Sequence, residues 1–241
     1  MELRVNSLKT SIFRAHDDLE EFVARHLKAQ QLERSILVIT SKLFSLAEGQ
    51  IAKKTAHKKE ELILSEADFY LGEVGQNCHL TIKHGLLNLT AGIDLSNSEN
   101  GDYLLLPKDP FKSAQKLYFS LKRKFELKEF GVLISDSKTQ PHRVGVMGCG
   151  ISCFGFEPIE NLIGSQDLFG QKLKMTQSNL IDALAASAVL MMGEAKEQTP
   201  LALISGAPVI FTEEPQSLKF DMTEDLYYPM YRDLIVKKEI K

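Results

Sequence analysis

The sequence predicts an α/β fold of the mixed α+β kind, with mixed sheets flanked by helices, and three observations carry that expectation. Short apolar runs at Ile36 to Ile39, Gly131 to Ser135 and Pro200 to Ile204 have the length and bounds of buried strands. Two longer stretches, one opened by Asp109-Pro110 and one from Ser178 to Met192, repeat apolar residues at helical spacing. The segment Tyr103 to Asp136 reads strand, helix, strand, the alternation from which layered α/β proteins are assembled.

From the N-terminal side, Asp17 to Gln30 places Leu19, Phe22, Val23 and Leu27 on one helical face, and Asp17, Asp18, Glu20 and Glu21 favour the helix start. After the strand at Ile36, Thr40 to Gly49 reads as a short polar connection. Glu60 to Gly72 is expected to be helical, with Leu62, Ile63, Ala67 and Leu71 inward. Leu80 to Leu89 reads as one or two strands, and Tyr103 to Leu106 as another. Asp109 is the expected N-cap and Pro110 the first helical residue of a helix whose inner face is Ala114, Leu117, Tyr118, Leu121 and Phe125.

The glycine-rich run Gly145 to Gly150 lacks the lysine and spacing of a phosphate loop. It fits a strand or bend that approaches another backbone closely, or a loop facing a ligand. Ser178 to Met192 ends at Gly193 as a C-terminal cap. The tail from Thr212 is acidic, then aromatic, and is expected to pack as a terminal helix. No repeat or linker divides the chain, so one domain over 1–241 is expected, with two subdomains as its finest division.

The 241 residues carry a formal charge of -3, which offers no basic footprint for nucleic acid. The one basic run, at Lys53 to Lys59, is followed at once by Glu60 and Glu61 and reads as a solvated loop. The start of the chain lacks a signal-peptide pattern and no segment has the apolar length of a membrane span, so a cytoplasmic protein with no membrane association is expected. Cys78, Cys149 and Cys153 show no doubled C-x-x-C spacing and read as free thiols.

The chemistry concentrates in Ala91 to Asn97 and Ile134 to Arg143. In each, an apolar run delivers an aspartate, Asp94 or Asp136, and then a hydroxyl or amide into what reads as a turn. Two such turns suit a shared divalent cation with oxygen ligands; equally, aspartates start turns by bonding their own backbone. No histidine is paired with a serine or cysteine in the manner of a nucleophilic hydrolase.

These stretches lie within a longer pattern. His16-Asp17-Asp18-Leu19, Thr40-Ser41-Lys42, Ala47-Glu48-Gly49, Ala91-Gly92-Ile93-Asp94 with Ser96-Asn97, Leu106-Pro107 with Asp109-Pro110, Ser135-Asp136 with Pro141 and Arg143, Asp167 to Gly170, and Met192-Gly193-Glu194 occur in that order. The pattern resembles the coenzyme F-420:L-glutamate ligase family, the nucleotide-dependent gamma-glutamyl ligases, over nearly the whole chain. The resemblance implies a gamma-glutamyl ligase-like fold in an intertwined homodimer. It also implies a GTP- or ATP-dependent enzyme that uses Mg2+ or Mn2+, in one or two ions, to join L-glutamate to a carboxylate-bearing coenzyme precursor.

By the same resemblance the metal ligands fall on Asp94, Asp136, Ser137 and Glu194, and the catalytic residues on Asp94, Asp136 and Arg143. Nucleotide contacts fall on Thr10, Ser11, Ile12, Phe13, Ser41, Lys42 and Asn97, and on the turn Gly193 to Pro200 that includes Glu194. Two positions depart from the family's pattern: Leu46 stands where lysine is usual, and His142 where an aromatic residue is usual. These look more like the branch assigned to folate metabolism than like the deazaflavin enzymes. Making an amide from a carboxylate in water requires activation, here an acyl phosphate, which is chiefly a task of positioning and charge neutralisation. Lys42 would supply a point charge and Arg143 a bidentate clamp. Two competing readings are a non-catalytic nucleotide- or metabolite-binding protein on the same scaffold and a metal-dependent phosphohydrolase.

Overall fold

In the computed structural model, which describes residues 2–98, 100–219 and 221–235, the elements in chain order are β1 (Arg4–Leu8), α1 (Leu19–His26), α2 (Ala29–Leu32), β2 (Ser35–Thr40), α3 (Ser41–Ala47), β3 (Ile51–Ala52), α4 (Lys59–Glu66), β4 (Phe69–Val74), β5 (Cys78–Lys83), β6 (Leu86–Leu89), β7 (Tyr103–Leu104), α5 (Pro110–Phe125), β8 (Phe130–Thr139), β9 (Val146–Phe154), β10 (Ile159–Asn161), β11 (Gln177–Asn179), α6 (Leu180–Met192), β12 (Leu201–Ser205) and α7 (Tyr228–Tyr231). The expected mixed α/β class is the one observed.

The main sheet has the order β1-β12-β2-β8-β9, with β2 and β8 parallel and the other neighbours antiparallel. Its central strands carry unbroken apolar runs, Ile36 to Ile39, Val132 to Ile134 and Leu201 to Ile204, because both faces are covered there, and successive side chains serve opposite layers. Leu37, Ile39, Val132, Ile134, Leu201 and Leu203 join the core with residues of α1, α3 and α5. Ile36, Val38, Leu133, Ala202 and Ile204 pack instead against Ile181, Leu184, Ala185 and Ala188 of α6. The two-residue ladder β3-β7 packs with α4, and β4-β5-β6 form a second sheet.

Several local readings hold. Asp18 caps α1 by accepting from Glu21 N–H, Asp109 caps α5 by accepting from Lys112 N–H, and Gly193 closes α6 at φ 81°. The glycine-rich run lies in β9, where its glycines permit close contact. A Cβ on Gly148 would sit 2.5 Å from the Ala185 carbonyl oxygen, and one on Gly150 would sit 2.3 Å from Ile181 Cγ1.

Other readings are corrected. The connection from Thr40 to Gly49 contains the helix α3, because Leu43 and Phe44 bury in the main core and hold the turn helical. The helix expected to reach Gly72 stops at Glu66. Asp68 N–H then donates to the Ile82 carbonyl (2.8 Å), and the chain continues as β4 against β5. Tyr103 and Leu104 pair with β3, so the strand, helix, strand segment does not return to a single sheet. The described part of the tail forms only the one-turn α7 and two short 3-10 turns, with Tyr231 buried against Leu71 and Ile82. Residues 236–241 of the expected terminal helix lie outside the described residues. The strands β1, β10 and β11 had no periodic signal to reveal them. Among the described residues no helix is long and apolar enough to cross a membrane.

Candidate active site at the carboxyl ends of β2 and β8

Parallel neighbours β2 and β8 end side by side, with Thr40 paired to Ser135. In open α/β sheets the carboxyl ends of parallel strands are where loops leave room for a ligand. A cleft of about 590 Å³ opens there, a size suited to a nucleotide or coenzyme. Thr10, Ser11, Ile12 and Phe13 line it from the segment after β1, Lys42 from α3, Asn97 from the loop after Asp94, Asp136 and Ser137 from β8, and Gly193 and Glu194 from the turn after α6.

Hydrogen bonds hold two distant segments together along one wall. Thr10 N–H donates to the Gln198 carbonyl (3.1 Å), and Gln198 Nε2 donates back to the Thr10 carbonyl (2.7 Å). Thr199 Oγ1 also bonds the carbonyl of Met192, which closes the Gly193 to Pro200 turn onto the helix end.

Asp136 does not sit in a turn. It lies within β8, paired with Cys149 of β9, just past a bulge at Ile134 and Ser135. The two-residue period of the strand puts it on the face of Val132 and Ile134, at the point where the apolar core gives way to the cleft. One carboxyl oxygen accepts from Ser137 N–H at 2.9 Å, and among the described residues it has no ion-pair partner within 4.0 Å. Burial pushes its carboxyl up to about 6. Asp94 and Glu194 push it the same way, against the pull of the Ser137 N–H and the Lys42 charge.

Asp94 is held differently. Its backbone bridges Leu104, and its carboxylate accepts from Ser96 N–H (2.7 Å), Ser96 Oγ (2.8 Å) and Lys42 Nζ (2.7 Å). Lys42 Nζ also donates to Ser96 Oγ at 2.7 Å, closing a three-membered network. Burial opposes ionisation of Asp94, but the Lys42 and Ser96 bonds outweigh it and hold the carboxyl below the usual range.

Three expected residues are not delivered to the cleft. Asp94 reaches it only through Lys42. Ser41 is buried, its carbonyl accepting from Ser45 Oγ. Arg143 lies in the exposed turn between β8 and β9 and is not among the residues lining this cleft or the smaller cavity beside it. Among the described residues no three His, Cys, Asp or Glu side chains gather closely enough to hold a metal ion. The donor chemistry still fits a hard divalent cation, because Asp136 is a half-buried carboxylate without a counter-ion and its charged neighbours include two more carboxylates.

Arg14 also lines the cleft, as do Asn100 and Asp102, and none was singled out in the sequence. Arg14 precedes the His16-Asp17 motif by two residues, and that proximity was the available signal. Leu46 lines the cleft beside Leu43, Ile51 and Leu104, which makes this wall apolar.

A pH dependence follows from Asp136. It binds its proton more tightly in the folded chain, near 6, than its ordinary value of 3.8. Its contribution to stability is therefore full below about pH 4 and is lost as pH rises through 6. The contribution of Asp94 has the opposite sense and is lost only below about pH 4. Metal-free protein is expected to melt lower at about pH 7.5 than at about pH 5 on account of Asp136, with each kcal/mol worth about 2–4 °C. Mg2+ or Mn2+ should recover this loss at the higher pH, as scanning fluorimetry with and without chelator would report. Equal melting temperatures with and without metal would remove Asp136 from a metal site.

The family model described as F420-0:Gamma-glutamyl ligase matches residues 7–206 of this chain. Among curated proteins, the chain is 34% identical over 230 residues to the Coenzyme F420:L-glutamate ligase of Methanocaldococcus jannaschii, covering 87% of this chain and 90% of that protein. It is 34% identical to the protein of the same name from Methanopyrus kandleri, over 80% of this chain and 82% of that one. For the one from Methanosarcina acetivorans the identity is 30%, over 95% of this chain and 93% of that one.

Proposed function

The chain belongs to the F420-0:Gamma-glutamyl ligase family and is therefore a glutamate-adding ligase, and we propose that it works at the cleft beside Asp136 by nucleotide- and metal-dependent activation of a carboxylate. The observation that supports this most is the assembly at one cleft of residues from five separate segments, Thr10 to Phe13, Lys42, Asn97, Asp136 with Ser137, and Gly193 with Glu194. On this reading a terminal phosphoryl group of GTP or ATP passes to an acceptor carboxylate, giving an acyl phosphate and a nucleoside diphosphate. The amine of L-glutamate then attacks the acyl carbon, the C–O bond to phosphate breaks, and the nitrogen releases a proton.

A divalent cation, Mg2+ or Mn2+, would be held by Asp136 with Asp94 and Glu194 and would neutralise charge on the phosphates. The Thr10 to Phe13 segment and the Gly193 to Pro200 turn form one wall of the nucleotide site and keep it in register through their mutual hydrogen bonds. Lys42, which pairs with Asp94 and lines the cleft, would offer its flexible side chain as a point charge to a phosphate oxygen. Arg143 is assigned no part in the chemistry of a single chain.

The acceptor on this reading is a coenzyme precursor bearing a carboxylate, of the F420 type by the names of the relatives. Leu46 and His142 keep a folate-type acceptor as the second reading. Incubation with GTP or ATP, Mg2+ or Mn2+ and labelled L-glutamate, with each acceptor in turn, tests the proposal by the mass gain of one glutamyl unit. Nucleotide hydrolysis that never requires glutamate would favour a phosphohydrolase. Binding without any nucleotide consumption would favour a non-catalytic protein.

The active unit on this reading is a cytoplasmic homodimer. Residues 162–176 form an arm beyond β10 and β11 on which Leu168 and Phe169 are 92% and 84% exposed, and Leu190 on the outer face of α6 is 81% exposed. Exposed apolar groups in this number mark a surface that another chain covers. Sedimentation across concentrations is expected to show a dimer, and a fully active monomer would contradict it.

A further inference from the structure

Asp136 and Ser137 belong to two cavities. One is the large cleft; the other, of about 200 Å³, is lined by residues of the β8-β9 hairpin and β6. Its walls are Leu86, Leu89 and Cys149, and its polar side chains besides Asp136 and the hydroxyls of Ser137 and Thr139 are Lys138 and Asn88. At 200 Å³ it is smaller than the cavities that receive drug-sized ligands, and so excludes a nucleotide or a fused-ring coenzyme while admitting an amino acid.

The polar groups are set for a carboxylate. Thr81 is fully buried, accepts from Ala91 N–H (2.9 Å) and donates to the carboxamide oxygen of Asn88 (2.9 Å). This engages the carboxamide oxygen of Asn88 and leaves its amide N–H groups as donors without a protein partner among the described residues. Lys138 follows Asp136 by two positions on the same strand face, and among the described residues its ammonium makes no hydrogen bond or ion pair. A cation, an amide donor and a carboxylate among the lining residues of one small cavity complement a molecule that carries a carboxylate and an ammonium group.

We propose that this small cavity is the L-glutamate subsite, with Lys138 and Asn88 holding a glutamate carboxylate and the glutamate amine directed at the Asp136 wall that the nucleotide cleft shares. The assignment rests on the ligase reading and adds to it where the amine enters. It makes Asp136 the partition across which the activated carboxylate and the amine meet.

The test is L-glutamate binding, followed by calorimetry with full-length protein, Mg2+ and a non-hydrolysable GTP analogue, so that turnover is not required. Lys138→Met is expected to weaken glutamate about tenfold or more, the scale of one charge-assisted contact, while the affinity for the nucleotide analogue stays within about twofold. Lys138→Arg should retain most of the glutamate affinity, which a merely structural role for the strand end would not predict. Glutamate affinity unchanged in Lys138→Met overturns the assignment, and so does a loss confined to the nucleotide or to the acceptor's Michaelis constant. Failure of the ligase reading is separately visible, as wild-type protein that transfers no glutamyl unit to any acceptor.

Discussion

Asp136→Asn is expected to reduce glutamyl transfer by about a thousandfold or more while leaving the fold intact. The substitution keeps the size of the side chain and an oxygen to accept the Ser137 N–H bond, so β8 has no reason to move. What it removes, on the proposed mechanism, is the negative charge that would hold a divalent cation against the phosphates, and a single electrostatic contact made in the transition state is commonly worth ~10²–10³ in rate. A bridging position between two cavities adds to that. The same change should raise the melting temperature of metal-free protein at about pH 7.5, because the cost of ionising a carboxyl whose pKa is pushed up to about 6 disappears. It should also abolish stabilisation by Mn2+. Loss of activity with metal-dependent melting retained would place Asp136 outside the metal site, and full activity would place it outside the mechanism.

Gly148→Val should destabilise the protein by about 3 kcal/mol or more and weaken nucleotide binding with it. The glycine lies in β9 against α6, where a Cβ would come within 2.5 Å of the Ala185 carbonyl and 2.7 Å of Val189 Cβ. A backbone oxygen cannot rotate aside, so the helix must shift, and overpacking of this kind costs about 1–3 kcal/mol even where side chains alone have to yield. The far end of α6 carries Val189, Met192, Gly193 and Glu194 into the cleft, so the displacement reaches the site. Gly145→Ala is the contrasting case. Nothing stands within 4 Å of its Cβ, and only its φ of 93° penalises the change, by about 1–2 kcal/mol. Urea unfolding midpoints of the two variants, with nucleotide affinity measured on each, separate crowding from backbone strain. Equal small effects would show that α6 tolerates a wider spacing from β9.

Much of the fold was legible in the chain because burial leaves a local record. The apolar runs at Ile36, Gly131 and Leu201 have the composition of strands covered on both faces, and the helix of Leu180 to Met192 has its cap in Asn179 and its stop in Gly193. Errors fell where two local signals overlapped. Leu71 continues the helical spacing of Leu62 and Ile63, yet it belongs to a strand, because Asp68 bonds to the neighbouring strand and ends the helix. Leu43 and Phe44 stand in a segment that reads as polar, and a helix forms there because the core takes both. Short strands such as β10 and β11 have too few residues for any period to appear.

The residues of the candidate site show the same division. The sequence by itself determined the fold class, the family pattern and the two aspartate-bearing segments, since these depend on residue types at fixed separations along one chain. Only the tertiary structure decided that Lys42 is the partner of Asp94, that Asp136 stands in a strand and lines two cavities, and that Arg143 lines neither. Ion pairing falls off within a few ångströms and a cavity exists only where separate segments fail to fill space, so each depends on distances that folding sets between residues far apart in the chain.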